Sequence, residues 1–125
     1  MLIYKTRWFH KWAARQGVSD QLLKRAIIEM NRGLIDANLG GNVFKKRIGI
    51  HGRGKSTSTR TLLAFKEREC AFFIYGFAKN ERDNVDDLEL KAIKTYAREL
   101  LGYSAMELEN AESAKILIKV IGDDT

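Results

Sequence analysis

The sequence predicts an α+β domain in which helices pack on one face of a small antiparallel sheet. Three segments in the middle of the chain alternate apolar and polar residues or are apolar throughout, as strands are. The segments around them have apolar residues at helical spacing, with capping residues at their starts and glycines at their ends. Strands joined by short turns pair antiparallel, and the helices are expected to leave the other sheet face partly open.

The N-terminal third is expected to hold one strand and two helices. Leu2–Thr6 is short and rich in β-branched and aromatic residues, which favours a strand at a sheet edge. Residues 8–16 have a helical pattern that stops at Gly17, and Ser19 can cap a second helix over residues 20–32. Residues 33–42 contain adjacent glycines and are predicted to form a loop.

The middle of the chain carries the predicted sheet. Val43–Ile48 alternates, with Lys45 and Arg47 on one side. Residues 58–65 alternate as well, and Arg60 lies opposite the stripe of residues that faces the core. A polar turn over residues 66–69 leads into Cys70–Ala78, which is apolar on both faces and therefore predicted to be the central strand.

The C-terminal third is predicted to be helical. Asn84 is the expected N-cap of a helix that ends at Gly102, and Ser104 opens a final helix with a capping-box pattern. Residues 115–121 fit a helix and a strand about equally well. We interpret residues 1–125 as a single domain, with a core over about residues 1–102 and a helical extension over residues 103–125.

Positive charge is concentrated in residues 43–82. This segment contains ten Lys or Arg and three Glu, a net charge of +7 in a chain whose total is +6. A cationic surface built on strands predicts a rigid site for a polyanion, with phosphate as the first candidate ligand. A solvated basic face with no ligand is the alternative interpretation.

Other features narrow the class of protein. The start of the chain has no signal-peptide pattern, and its longest apolar run is half of what a membrane span requires, so we expect no membrane contact. A lone cysteine indicates a reducing compartment, and a cytoplasmic location is expected. No His, Cys or carboxylate cluster has metal-ligand spacing, so neither a metal nor another cofactor is expected.

Residues 49–56 match the phosphate-loop pattern G-x-x-x-x-G-K-[ST] letter for letter. That pattern binds nucleotide phosphates only where a helix begins at its Lys-Ser. Here the following residues are β-branched and alternate with period two, which predicts a strand. A glycine-rich hairpin loop is therefore the favoured interpretation, and no nucleotide cofactor is expected.

Four cations are expected to form the reactive site. They lie on or just after the predicted strands: Lys45, Arg47, Arg60 and Lys79. Cations that converge on one phosphodiester can stabilise the charge that builds on it during cleavage. RNA carries its own nucleophile, the 2′-hydroxyl, so such a site needs no metal and no side-chain nucleophile. Composition alone does not separate cleavage from binding.

Five motifs follow one another along the chain: GLIDANLGG (33–41), VFKKR (43–47), GKS (54–56), RTLLAF (60–65) and YGFAKNERDN (75–84). This series resembles the RelE/HigB-like toxins of bacterial type II toxin–antitoxin systems. The resemblance implies a compact sheet-and-helix ribonuclease fold and metal-independent cleavage of mRNA on the ribosome. It also implies a cognate antitoxin, encoded next to the toxin, as partner.

The resemblance also assigns residues. Arg60 matches the arginine that RelE-type enzymes use on the scissile phosphate, and Lys45 and Arg47 match their pair of strand lysines. Asn80 and Asp86 stand where RelE has an arginine and a proposed proton-transfer tyrosine. The general base therefore stays open, with Lys45 as a candidate. Four more cations are expected to contact mRNA or ribosomal RNA: Lys46, Arg53, Lys55 and Arg82.

Two alternatives remain open at this point. A ParE-like toxin of the same fold inhibits DNA gyrase without catalysis, and an RNA-binding module would bind without cutting. The set of Lys45, Arg47 and Arg60 on one sheet face favours the ribonuclease, because an inhibitor of gyrase does not need it.

Overall fold

Residues 1–50 and 58–121 are described by the computed structural model, and they form six strands and four helices. In chain order these are β1 (Leu2–Thr6), α1 (Arg7–Gln16), α2 (Asp20–Asn31), β2 (Ala37–Gly40), β3 (Val43–Ile48), β4 (Thr59–Lys66), β5 (Cys70–Ala78), α3 (Asp87–Leu101), α4 (Ala105–Ser113) and β6 (Leu117–Lys119). The α+β class predicted from the sequence is confirmed.

The six strands form one sheet in the order β2-β3-β4-β5-β1-β6. Every neighbouring pair is antiparallel except β1 and β5, which run parallel. β1 is therefore an internal strand, and its prediction as an edge strand was wrong. Its neighbours β5 and β6 come from distant parts of the chain, so the local pattern of residues 2–6 held no sign of either.

Helices cover both faces of the sheet. Leu63 of β4 and Phe73 of β5 pack in an apolar core with residues of α1 and α2. Their chain neighbours Leu62 and Phe72 pack in a second core with Ile93 and other residues of α3 and α4. Successive residues of a strand point to opposite faces. Helices were expected on one face only, with the other face partly open; α3 and α4 instead pack on part of that second face.

Local capping positions the first two helices as predicted. The Ser19 hydroxyl accepts a hydrogen bond from the N–H of Leu22 at the start of α2. Gly17 ends α1 in the left-handed conformation, with φ +78°. The N-cap of α3 is Asp86 rather than Asn84, because Asp86 and Glu89 form a reciprocal capping box. The helix consequently begins two residues later than an Asn84 cap implies.

The segment predicted as a loop over residues 33–42 contains β2, which pairs with β3. Gly41 and Asn42 connect the two strands, with φ values of +62° and +63°. Positive φ at both central residues is the requirement of a type I′ two-residue hairpin turn. The glycines therefore build a hairpin instead of a longer loop.

The C-terminal segment joins the core. Ser104 caps α4 in the predicted capping box. β6 then pairs antiparallel with β1, and Leu117 is fully buried between the two layers of secondary structure. Residues 115–121 thus contain a strand, and the segment from residue 103 is not only a helical extension but also supplies the outer strand beside β1.

Candidate nucleic-acid interface

Two arginines face one another where β3 pairs with β4. Arg47 and Arg60 are directly opposite residues of this antiparallel pair, so their side chains project from the same sheet face. Lys45 lies two residues before Arg47 and projects from that face as well. Like charges placed opposite each other destabilise a sheet. An anion bound between these cations would relieve that repulsion.

The side chain of Arg60 is nearly buried, with 9% of the residue exposed. Its Nη1 donates a hydrogen bond to the Ser58 hydroxyl at 3.1 Å. Phe77 of β5 lies directly opposite on the other side of β4. Among residues 1–50 and 58–121, no carboxylate forms an ion pair with the guanidinium of Arg60 or Arg47, although the backbone N–H of Arg47 donates to the Asp36 carboxylate at 2.6 Å. A buried guanidinium with a neutral partner keeps its charge and most of its donors for a ligand.

Lys79 extends this surface past the end of β5. Its backbone N–H donates to the Ser58 carbonyl at 3.4 Å, and its side chain is exposed. It comes directly after Ala78, the last residue of β5, beside the end of β4 that carries Arg60. We use the name basic face for Lys45, Arg47, Arg60 and Lys79 together. The fold brings the first three of these predicted residues to one sheet face and Lys79 to the adjoining end of β5.

Lys46 lies on the opposite face. Only 6% of the residue is exposed, and its Nζ contacts the Glu29 carboxylate of α2 at 2.8 Å. The same Nζ donates to the Leu34 carbonyl at 3.1 Å. Lys46 was expected to contact RNA, but its charge is already satisfied inside the protein. Strand alternation separates it from Lys45, and the structure leaves it out of the basic face.

Arg82 is also held by internal partners. It forms a two-pronged ion pair with Glu89, and its Nη1 contacts the Tyr75 hydroxyl at 3.3 Å. Its guanidinium carbon lies 5.8 Å from the centre of the Phe77 ring. The hydrogen bond from Arg82, with help from the backbone N–H of Asp86, lowers the pKa of Glu89 to about 2. Arg82 therefore anchors the 79–86 segment and is not a free RNA contact.

Arg53 and Lys55, which were expected to contact ribosomal RNA, lie outside the described residues, as does most of the phosphate-loop match. Strand β4 begins at Thr59, as the alternation of the residues after the match predicted.

Three neighbours of the cations were given no role in the predicted site. Ser58 orients Arg60, whereas Phe77 and Tyr75 contact Arg82. The period-two alternation put Ser58 on the same side of the strand as Arg60, but it did not indicate the hydrogen bond between them. Tyr75 was not predictable in this way, because a register shift between Leu62 and Leu63 marks a bulge in β5 beside it.

The two departures from the RelE pattern have different surroundings. Asp86 caps α3 and so has a structural use. Asn80 is exposed just beyond β5. In the described part of the chain, no group of three or more His, Cys, Asp or Glu is placed to hold a metal ion. Nor does any helix there have the length and apolar character needed to cross a membrane.

One comparison with known proteins gives a match. The model of a protein family described as the RelE toxin of the RelE/RelB toxin–antitoxin system matches residues 1–120. No curated protein matches the chain. The matched region includes the whole sheet and every residue of the basic face.

Proposed function

We propose, because the chain belongs to the RelE toxin family of toxin–antitoxin systems, that it inhibits translation by cutting mRNA on the ribosome. Toxins of this family have an antitoxin as partner, so this chain has one too. The observation that carries the proposal is Arg60, a nearly buried guanidinium with no carboxylate partner among the described residues, directly opposite Arg47.

In the proposed reaction the 2′-oxygen of a ribose attacks the neighbouring phosphorus, and the bond to the 5′-oxygen of the next nucleotide breaks. A base takes the proton of the 2′-hydroxyl, and the leaving 5′-oxygen takes up a proton. The products are a 2′,3′-cyclic phosphate and a 5′-hydroxyl. Negative charge on the phosphoryl oxygens rises before the bond breaks, and Arg60 is preorganised to bind it.

The other residues of the basic face are assigned supporting roles. Arg47, opposite Arg60, holds the same phosphate or the adjacent one, and Lys45 is placed two residues further along β3. Lys79, exposed at the end of β5, holds a flanking phosphate. Arg53 and Lys55 are proposed to bind ribosomal RNA. In the proposed reaction, every bond that forms or breaks belongs to the RNA or to a protein group that gives or takes a proton. The proposed chemistry is therefore independent of metal.

The same surface is the proposed binding site of the antitoxin. Acidic antitoxin residues would pair with the basic face and block it, and salt would weaken the contacts at its rim. Cytoplasmic location follows from the proposed target, the translating ribosome.

The test is single-turnover cleavage of a defined mRNA on programmed ribosomes, mapped by primer extension. We expect cuts in the A site, and we expect them to persist when divalent metal is chelated and the ribosomes are kept intact with polyamine. A gyrase supercoiling assay with the same protein is the control. Gyrase inhibition without mRNA cuts would replace the proposal with the ParE-like alternative, and RNA binding without either activity would leave a binding module.

A further inference from the structure

An aromatic groove lies near the basic face. It is found where β1 ends, so that the last residues of β5 have no neighbouring strand on the β1 side. The register of β1 on β5 stops at Phe73, and the chain turns into α1 at Arg7. The groove has a volume of about 430 Å³, within the range of small-ligand sites. Its main lining residues are Arg7, Trp8, Ile74, Tyr75, Tyr96 and Ile116.

Two stacked rings form one wall of this groove. The rings of Trp8 and Tyr75 lie 4.6 Å apart at their centres and 21° from parallel. Trp8 is 45% exposed, which is high for the largest apolar side chain. Trp12, one turn further along α1, is buried, and its ring is nearly parallel to that of Trp8 with the centres 6.3 Å apart. Trp8 therefore lines the groove as a partly exposed ring that is held by two aromatic neighbours.

The groove residue Tyr75 lies on β5, the strand next to the one that carries Arg60. Tyr75 is opposite Leu62 of β4, and Phe77, two residues on, is opposite Arg60. The bulge beside Leu62 and Leu63 turns the Tyr75 ring towards Trp8. Arg82 contacts both the Tyr75 hydroxyl and the Phe77 ring, which holds this part of β5 in place. Tyr75, one of the two stacked rings, is therefore a diagonal neighbour of Arg60 on the adjacent strand.

The charge of the groove suits an anionic ligand. None of its lining residues is acidic. Arg7 donates to the carbonyls of Ala114 and Lys115, each at 2.9 Å, and no described carboxylate forms an ion pair with it. It therefore adds a positive charge to an aromatic wall. This is the combination by which proteins bind single-stranded nucleic acid.

We propose that this groove binds one base of the RNA, next to the phosphate held at Arg60, by stacking on Trp8. The inference rests on the proposed function and adds a subsite to it. Stacking on a ring tolerates any base, so the groove sets the position of the strand rather than its sequence. The phosphate that precedes or follows the stacked base lies against the basic face.

The test measures tryptophan emission of the full-length protein, and the part that belongs to Trp8 is the difference between wild type and Trp8→Phe, because Trp12 also emits. The probe is a short single-stranded RNA made uncleavable by 2′-O-methyl groups, with a series in which one position at a time is abasic. Intact RNA is expected to quench Trp8, and one abasic position is expected to abolish the quenching and weaken binding roughly 5- to 150-fold, the range for one base–aromatic stack.

Three variants test whether Trp8 is the residue on which the base stacks. Trp8→Ala is expected to bind intact RNA as weakly as wild type binds the abasic RNA, with no further loss when both changes are combined. Trp8→Phe should keep part of the affinity, because a smaller ring still stacks. Leu88→Ala, at a 79% exposed apolar residue outside the groove, is the matched control and should bind as wild type does. Circular dichroism checks that each variant is folded.

Failure of the subsite and failure of the ribonuclease proposal give different results. If Trp8→Ala still discriminates intact from abasic RNA, or if intact RNA does not quench Trp8, the subsite is overturned while mRNA cleavage stands on its own assay. If quenching depends on one base but ribosomes show no cuts, the subsite stands and the ribonuclease proposal falls. Quenching by an antitoxin peptide and not by RNA would make the groove a protein-docking site and overturn the inference.

Discussion

Arg47 and Arg60 stand directly opposite each other on β3 and β4, and neither forms an ion pair with any carboxylate of the described residues. Ser58, a neutral residue, is the hydrogen-bond partner of Arg60. The arrangement costs stability in the free protein, since the two charges repel across the strand pair. A phosphate between them would convert that repulsion into two attractive interactions.

Replacing Arg60 by Ala is expected to slow mRNA cleavage by roughly 10²- to 10³-fold, the usual effect of removing one preorganised charge donor. Ribosome binding should change little, because other cations supply it. Arg60→Lys should restore only part of the rate, since an ammonium lacks the two-pronged geometry of the guanidinium. Single-turnover cleavage on programmed ribosomes measures both.

Lys91→Ala is the control for charge alone, because Lys91 is an exposed cation of α3 that lies outside the basic face. It should cleave at the wild-type rate. An Arg60→Ala protein that cuts as fast as wild type would reduce Arg60 to a structural charge.

Lys45 and Lys46 are adjacent in sequence, but replacing them is expected to change different properties of the protein. Lys46→Met should lower the free energy of unfolding by about 1–2 kcal/mol, below the value for a fully buried pair because Glu29 is partly exposed. Lys45→Met should leave stability almost unchanged and reduce cleavage. Urea denaturation and the ribosome assay separate the two. Equal loss of stability in both variants would contradict the placement of Lys45 and Lys46 on opposite faces of the sheet.

Gly76→Ala tests the packing of α1 on the sheet. An added Cβ at Gly76 would clash with the Trp12 ring, which is buried. We expect a loss of about 2–3 kcal/mol in the free energy of unfolding, typical of an overpacked core. Gly49→Ala is the control, because a Cβ there meets no atom of the described residues within 4 Å. Wild-type stability of Gly76→Ala would contradict the close contact.

Glu89→Gln is expected to change how stability depends on pH. Arg82 holds the folded-state pKa of Glu89 at about 2, below its ordinary 4.5. Between these two values the unfolded chain binds a proton that the folded protein does not, so the contribution of Glu89 falls as the pH falls. It is fully present above about pH 4.5 and lost below about pH 2.

Urea denaturation of wild type and Glu89→Gln across that window measures the effect. The stability difference between the two should be largest at neutral pH and shrink towards pH 2. Glu109→Gln, at an exposed position of α4, is the control for the loss of one negative charge. Parallel curves for wild type and Glu89→Gln would mean that the ion pair with Arg82 does not form in solution.

The sequence by itself determined the elements whose signals are local. The cap at Ser19 and the stop at Gly17 depend on a few adjacent residues, so they were predictable. Period-two alternation likewise placed Arg60 on the face opposite Leu63 and Phe65, a prediction that the register of β4 confirms. It also put Lys45 and Arg47 on one side of β3.

Only the tertiary structure decided which cations are free to meet a ligand. Lys45 and Lys46 are alike in sequence, but Lys46 meets Glu29 because α2 packs on that side of the sheet. Arg82 is captured by Glu89, whose position depends on where α3 begins. The internal place of β1 was decided in the same way, by two strands remote in the chain. These outcomes come from packing between distant segments, and a local pattern carries no information about which segments will meet.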